Sequence, residues 1–264
     1  MRYKKKKHPQ TNALDVLIGK LKKHEFTYEA FLEQLSKVET SFFENPHLEF
    51  ELLVSNGLPL EVNDERVFLK TSKTQIKDQT FCIVDIETNG SNIQQGQIIE
   101  LGAVKFKNGE IIEKYESLVY AGFIPQYIQE VTNITPDMLT DAPPLKEVLE
   151  EFKLFLEDDV FVAHDIKFDY KFISDSFEKY DLGKLHNRKL CTIDLAKRTI
   201  FAERYGLGFL KELLEIDTHK QHRALNDAMS TTYIFQKSLS NLPVEVKTAE
   251  DLIEFSKSDN ILKA

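Results

Sequence analysis

The stretch FCIVDIETNG, Phe81–Gly90, decides the fold. Four mostly apolar residues, Phe81–Val84, lead into Asp85-Ile86-Glu87, and Thr88-Asn89-Gly90 breaks the run. The pattern predicts a buried strand that ends in a turn. Residues two apart on a strand point the same way and lie ~6.6 Å apart, at ~3.3 Å per residue. Asp85 and Glu87 therefore put two carboxylates on one side of a sheet, at its carboxyl edge. Two acids so placed repel each other unless a cation sits between them. A hard divalent ion with oxygen ligands meets that need. For this stretch alone, a strand end carrying solvated acids is the alternative reading.

Downstream, Ser91–Gln97 reads as a polar loop, and Ile98–Phe106 and Ile111–Tyr120 read as strands. Lys107-Asn108-Gly109 joins them, and Asn-Gly is a strong hairpin signal. Pro125–Pro144 is a mixed stretch with short helical pieces. Leu145, Val148, Leu149, Phe152, Phe155 and Leu156 then trace one helical face. Val160–Ala163 is a short buried strand, followed by a helix around Phe168–Tyr180. Leu190–Ile193 is a further strand candidate, and Ala224–Leu239 the longest terminal helix. Antiparallel strands first and strand–helix alternation afterwards predict an α/β fold, a mixed sheet with helices on both faces.

Two more polar clusters fall where such a sheet would present them. His164-Asp165-Ile166-Lys167-Phe168-Asp169 follows the strand Val160–Ala163, which places Asp169 at the edge where open α/β folds hold ligands. The other is His222-Arg223-Ala224-Leu225-Asn226-Asp227-Ala228. Residues five apart on a helix face about 140° away from each other. His222 and Asp227 share a site only if His222 lies on a loop before the helix, and the polar run Asp217–Gln221 supplies one. Taken singly, Asp169 also reads as a helix-start acid, Asp227 as a surface acid and His222 as a solvated loop residue.

Together, Asp85, Glu87, Asp169, Asp227 and His222 resemble the DEDDh family of 3′–5′ exonucleases, through DIETNG, HDIKFD and HRALNDA in the family's order and spacing. The likeness runs from about Thr80 to Leu239. It includes Asn133-Ile134-Thr135-Pro136-Asp137-Met138-Leu139 and Asp141-Ala142-Pro143, similar to the family's G-I-T-x-x-M-L and D-A-P. It is nearest the proofreading epsilon subunits of bacterial DNA polymerase III. Two departures stand out: Asn89 where the family often has Thr, and Asp165 where it usually has Asn. The resemblance implies a ribonuclease-H-like, five-stranded mixed sheet flanked by helices. It implies two divalent ions, Mg²⁺ or Mn²⁺, at Asp85, Glu87, Asp169 and Asp227, with His222 as general base. The implied substrate is a DNA 3′ end, with nucleoside 5′-monophosphates as product, and the implied partner is the catalytic subunit of the polymerase. Thr88 and Asn89, through backbone groups, and His164 and Phe168 would meet the substrate, with core filling as the alternative for Phe168. An RNA-trimming exonuclease would show the same five residues. A non-catalytic polymerase- or DNA-binding adaptor is the reading from another class.

The rest of the chain brackets this segment. Lys4–Lys7 reads as a basic tail. Helices are expected from Asn12, with Leu14, Leu17 and Leu21 on one face, and from Thr27, a good N-cap. Asn45-Pro46 to Asn56-Gly57 reads as a third helix, although Leu48, Phe50 and Leu52 alternate like a strand. Leu60 and Val62, then Val67 and Leu69, form a hairpin around Asn63-Asp64-Glu65. Three helices and a hairpin resemble a winged-helix module, with a helical cap on the main domain as the alternative. Polar Thr71–Asp78 is the expected linker, dividing the chain into 1–75, 79–240 and a tail at 241–264. In that tail, Asp251-Leu252-Ile253-Glu254-Phe255 resembles a sliding-clamp-binding peptide without its leading Gln, or reads as an amphipathic helical turn.

The 264 residues carry a net charge of -9. Residues 1–75 hold 12 Lys and Arg against 11 Asp and Glu, and the remainder 22 against 32. An acidic body is a poor general binder of phosphate backbones, so nucleic acid must be gripped locally or delivered by a partner. Cys82 and Cys191 make no metal-spaced pair, and no apolar run would span a bilayer. A cytoplasmic protein with reduced cysteines and no membrane partner is expected.

Overall fold

The computed structural model describes residues 13–38, 45–216 and 222–262. The basic run Lys4–Lys7 and the loop expected at Asp217–Gln221 lie outside them.

The first unit packs three helices, α1 (Ala13–Leu21), α2 (Tyr28–Leu35) and α3 (Pro46–Ser55), on a small antiparallel sheet. Its strands are β1 (Phe26–Thr27), β2 (Leu60–Asn63) and β3 (Arg66–Leu69), in the order β1-β3-β2. Caps fix the helix starts. Thr27 Oγ1 accepts from Ala30 N at 3.3 Å, and Asn45 Oδ1 accepts from His47 N at 2.9 Å. That second cap, with Pro46 in the first turn, makes Leu48–Leu52 helical rather than strand-like. Leu14, Leu17, Leu21, Phe31, Leu35 and Phe50 build a core with Val67 and Leu69. Apart from the two-residue strand β1, this is the helix and hairpin content read from the sequence.

The second unit is a five-stranded sheet, β4 (Phe81–Thr88), β5 (Ile98–Lys107), β6 (Glu110–Leu118), β7 (Val160–Ala163) and β8 (Lys189–Cys191), in the order β6-β5-β4-β7-β8. β4, β5 and β6 pair antiparallel, whereas β7 and β8 join parallel to β4. Asn108 and Gly109 both take positive φ, as the tight β5–β6 turn requires. Between β6 and β7 lie α4 (Gln126–Thr132), α5 (Pro136–Leu139) and α6 (Leu145–Leu156). After β7 come α7 (Ile166–Lys179), α8 (Thr192–Thr199), α9 (Leu207–Leu213), α10 (Ala224–Leu239) and α11 (Ala249–Phe255). The strand expected at Leu190–Ile193 stops at Cys191, because Thr192 opens α8.

Alternation along β4 divides the core. Cys82, Val84 and Ile86 face α6 and α7, packing with Val148, Phe152, Phe172 and Ile173. Phe81 and Ile83 face the other way, with Leu195, Ala228, Phe235 and Leu252. Period two therefore carries Asp85 and Glu87 onto the face that α10 covers.

On the flanks, one expectation is corrected, and the helical alternative for Asp251–Phe255 is the one observed. Thr71–Asp78 is not loose chain: it forms two 3₁₀ turns, and Thr71 is buried. Its backbone is tied to the chain before α11, Ile76 N donating to Lys247 O and Ala249 N to Thr74 O, both at 3.0 Å. The clamp-like stretch Asp251–Phe255 is the body of α11, and Leu252 and Ile253 are fully buried in the core. Core packing leaves those side chains no surface to offer a clamp. Among the described residues, no helix is long and apolar enough to cross a membrane. Cys82 is a free, buried thiol and Cys191 is also unpaired.

Candidate active site

The β4 strand brings Asp85 and Glu87 to its carboxyl end, and α10 lays Asp227 across them. One carboxylate oxygen from each of these three lies within 4.8 Å of the others. Two residues of β5 make that approach possible. Gly102 is paired with Asp85, and a Cβ there would stand 2.2 Å from Leu225 N. The first turn of α10 thus rests on bare strand backbone. Glu100, paired with Glu87, is fully buried. Its Oε1 accepts from Arg223 Nε at 2.8 Å and Nη2 at 2.6 Å, and its Oε2 accepts from Ala224 N at 2.9 Å. A carboxylate at a helix N-terminus satisfies an orphan N–H and meets the favourable end of the dipole. Glu100 and Gly102 escaped the sequence reading. The signal was present, since an acid within the apolar run Ile98–Val104 must be buried and so must have a partner.

His222 precedes α10 with φ 58, in the left-handed region. Its backbone N–H donates to Asp227 Oδ2 at 3.1 Å, and its side chain stands exposed. The loop position required by the five-residue spacing is therefore the one observed. Lys211 of α9 sets its Nζ 3.6 Å from Asp227 Oδ1.

Asp169 lies in the first turn of α7 and is buried. It is outside the tight triplet, yet its charge is the strongest of those pushing Asp85 upward. All four acids are held above the usual carboxylate range, chiefly by burial. Asp85 lies well above it, with Asp169, Glu87 and Asp227 adding repulsion. Glu87 is pushed up to about 8 by burial, then by Glu100 and Asp227. Asp169 is pushed to about 7 by burial, against backbone hydrogen bonding at Asp169 and Ile86. Burial also raises Asp227, with Lys211 and the His222 N–H acting in the opposite direction. Carboxylates crowded and desolvated in this way could hold a cation.

The expected substrate residues separate into two groups. Phe168 is exposed, its ring 5.7 Å from that of Phe172, so it does not fill the core. Thr88 is half-buried, and its hydroxyl donates to Gly90 O at 2.8 Å. Asn89 and His164, by contrast, brace the protein. Asn89 Nδ2 donates to Phe123 O at 2.8 Å, its Oδ1 accepts from Gln97 N at 2.7 Å, and its N–H donates to Gln97 O at 3.1 Å. His164 Nε2 donates to Tyr205 O and Nδ1 bonds Thr192 Oγ1, both at 2.9 Å. Burial brings the His164 imidazole down to about 4, so it is neutral near pH 7. Both side chains are thus engaged within the protein, and both residues remain half-buried. Asp165 takes φ 71, a conformation that Asn and Asp tolerate best among residues with a Cβ, which accounts for an Asp in place of Asn.

Residues 82–235 match the family profile described as Exonuclease, RNase_T. The chain is 39% identical over 194 residues to the DNA polymerase III PolC-type proteins of Staphylococcus haemolyticus and Staphylococcus aureus. The match covers 72% of this chain but 13% of those much longer proteins. Among solved structures, exonuclease X in complex with 5′-overhanging duplex DNA superposes with a TM-score of 0.52 at 23% identity, over 67% of this chain and 99% of that one. Escherichia coli exonuclease I in its complex with single-stranded DNA gives 0.57 at 16% identity, over 63% and 42%. These likenesses bear on the fold, which is the ribonuclease-H-like exonuclease fold.

Proposed function

The chain belongs to the RNase_T exonuclease family, and from that membership and the site's geometry we propose that it removes nucleotides hydrolytically from DNA 3′ ends, releasing nucleoside 5′-monophosphates. The observation that carries this reading is the convergence of Asp85, Glu87 and Asp227 within 4.8 Å, with the exposed His222 on the same loop–helix junction. Three carboxylates crowded and desolvated in this way fit divalent ions. Asp85, Glu87 and Asp227 would hold them, with Asp169 alongside. Bound Mg²⁺ or Mn²⁺ would lower the pKa of water and neutralise charge developing on the phosphate.

The chain's own groups do the remainder. The His222 imidazole is solvent-facing while its backbone is fixed, so it can take the proton from the attacking water as that water meets phosphorus. Glu100 and Gly102 fix the start of the helix that carries Asp227 and that His222 precedes. Phe168 offers an exposed ring to the terminal sugar or base, and Thr88 ends the strand that carries Asp85 and Glu87.

We place the activity in proofreading beside a DNA polymerase III catalytic subunit. The PolC-type relatives support DNA and replication as the setting, and the acidic body of this chain accords with a 3′ end delivered by a partner. Residues 1–75, with a core of their own and a nearly balanced charge, are the proposed docking unit. The test is digestion of 3′-labelled matched and mismatched DNA primers and of RNA, with Mg²⁺, Mn²⁺ or chelator. Mononucleotides should appear from DNA only with metal, and faster from mismatched ends. Undiminished digestion in excess chelator, or preference for RNA, would overturn the respective part of the reading.

A further inference from the structure

Lys211 is 6% exposed, and its Nζ is buried without a hydrogen-bond partner among the described residues. It lies 3.6 Å from Asp227 Oδ1, an ion pair in which both side chains are about nine-tenths buried. The other oxygen of the same carboxylate is bound by the His222 N–H. A lysine is rarely buried unless paired. Here the nearby anion is one of the three carboxylates that converge on the ion site.

We propose that Lys211 is a resident counter-ion of the ion site: it holds Asp227 in place before metal arrives and weakens the site's affinity for divalent ions. This inference rests on the proposed metal-dependent reading. The physical argument is one of charge. Asp85, Glu87, Asp169 and Asp227 are four acids in one desolvated cleft, and a fixed ammonium beside Asp227 relieves part of their repulsion. The same ammonium repels an incoming cation. Lys211 thus acts through Asp227, as a positioning residue rather than as a group that meets the substrate. The two effects have opposite signs, which separates this role from simple core packing. A packing lysine, once removed, would loosen Asp227 and weaken metal binding together with the fold.

The experiment is Mn²⁺ titration of the full chain without nucleic acid, followed by the electron paramagnetic resonance of free Mn²⁺, alongside thermal melting in chelator. Lys211→Met keeps the stem and removes the charge. It should bind Mn²⁺ about tenfold more tightly, a modest share of what a unit charge a few Å from an ion supplies at an effective dielectric of roughly 20. Its melting temperature in chelator should fall. Lys211→Arg, which keeps the charge, should restore wild-type affinity. If Lys211→Met does not fold, Lys211→Gln is read by the same criterion. Unchanged or weaker Mn²⁺ binding in the charge-free variant overturns the proposal while leaving the metal site intact. A wild-type chain that binds no Mn²⁺ overturns the metal-dependent reading, and this inference with it.

Discussion

At the scale of single residues, His222 and Asp227 divide their work between backbone and side chain. Because the His222 N–H holds Asp227 Oδ2, removal of the ring should leave the acid in place. His222→Ala should lower turnover by ~10²–10⁴, as loss of a general base does, while Mn²⁺ affinity changes little. Steady-state kinetics and metal titration on the same preparation check both halves. The acids give a pH dependence whose sign follows from their shifts. Glu87 moves from 4.5 to about 8, and Asp169 from 3.8 to about 7. Over the intervening range the folded chain holds protons that the unfolded chain has released, so metal-free stability falls as pH rises from about 4.5 toward 8. Melting in chelator across that range should show the decline, and Glu87→Gln should flatten it. Divalent ions compete with those protons, so Mn²⁺ affinity should rise over the same window.

At the scale of elements, β5 decides where α10 begins. Gly102→Ala would drive a methyl group into Leu225 N, and the helix must lift. Overpacking of that kind costs roughly 1–3 kcal/mol. Because α10 carries both His222's junction and Asp227, activity should fall further than stability. Glu100→Ala should do likewise by leaving Arg223 and the Ala224 N–H without their acceptor, and comparison of kcat with the melting temperature distinguishes either variant from a general loss of fold. The sequence made β4, the Asn108-Gly109 hairpin and α10 legible, because each has a local signature: an apolar run, a positive-φ pair, a long periodic face. The convergence of Asp85, Glu87 and Asp227 was legible only through motif spacing. The support beneath it was not, since a glycine that admits a helix and an acid that caps one acquire meaning only when β5 meets α10. The internal hydrogen bonds of His164 and Asn89 were not legible either, because proximity in sequence to a site says nothing of where a side chain's hydrogen bonds go.

At the scale of the whole molecule, the stretch between the two units is held rather than free. Lys73 and Lys77 should therefore resist trypsin in the native protein, which mass spectrometry of a digestion time course would show. Early cleavage at either lysine would restore the loose linker expected from composition. The grip centres on Glu250 in α11, which is 4% exposed. Thr71 donates to its Oε2 at 2.8 Å, Arg188 Nε donates to the same oxygen at 3.0 Å, and Lys22 lies 3.4 Å from Oε1. The carboxylate is kept below its ordinary range despite burial, with Arg188 foremost among the groups that stabilise its charge. The Glu250 side chain thus ties together the residue after α1, the inter-unit stretch and the residue that leads into β8. Breaking a buried ion pair from one side costs roughly 3–5 kcal/mol. Removal of Glu250 should also do something that an equal loss of core packing would not. The wild-type chain should absorb heat in a single calorimetric peak, because neither unit can melt while the other holds this knot. Glu250→Ala should split that peak in two, so that the thermogram counts the units that the intact carboxylate makes behave as one.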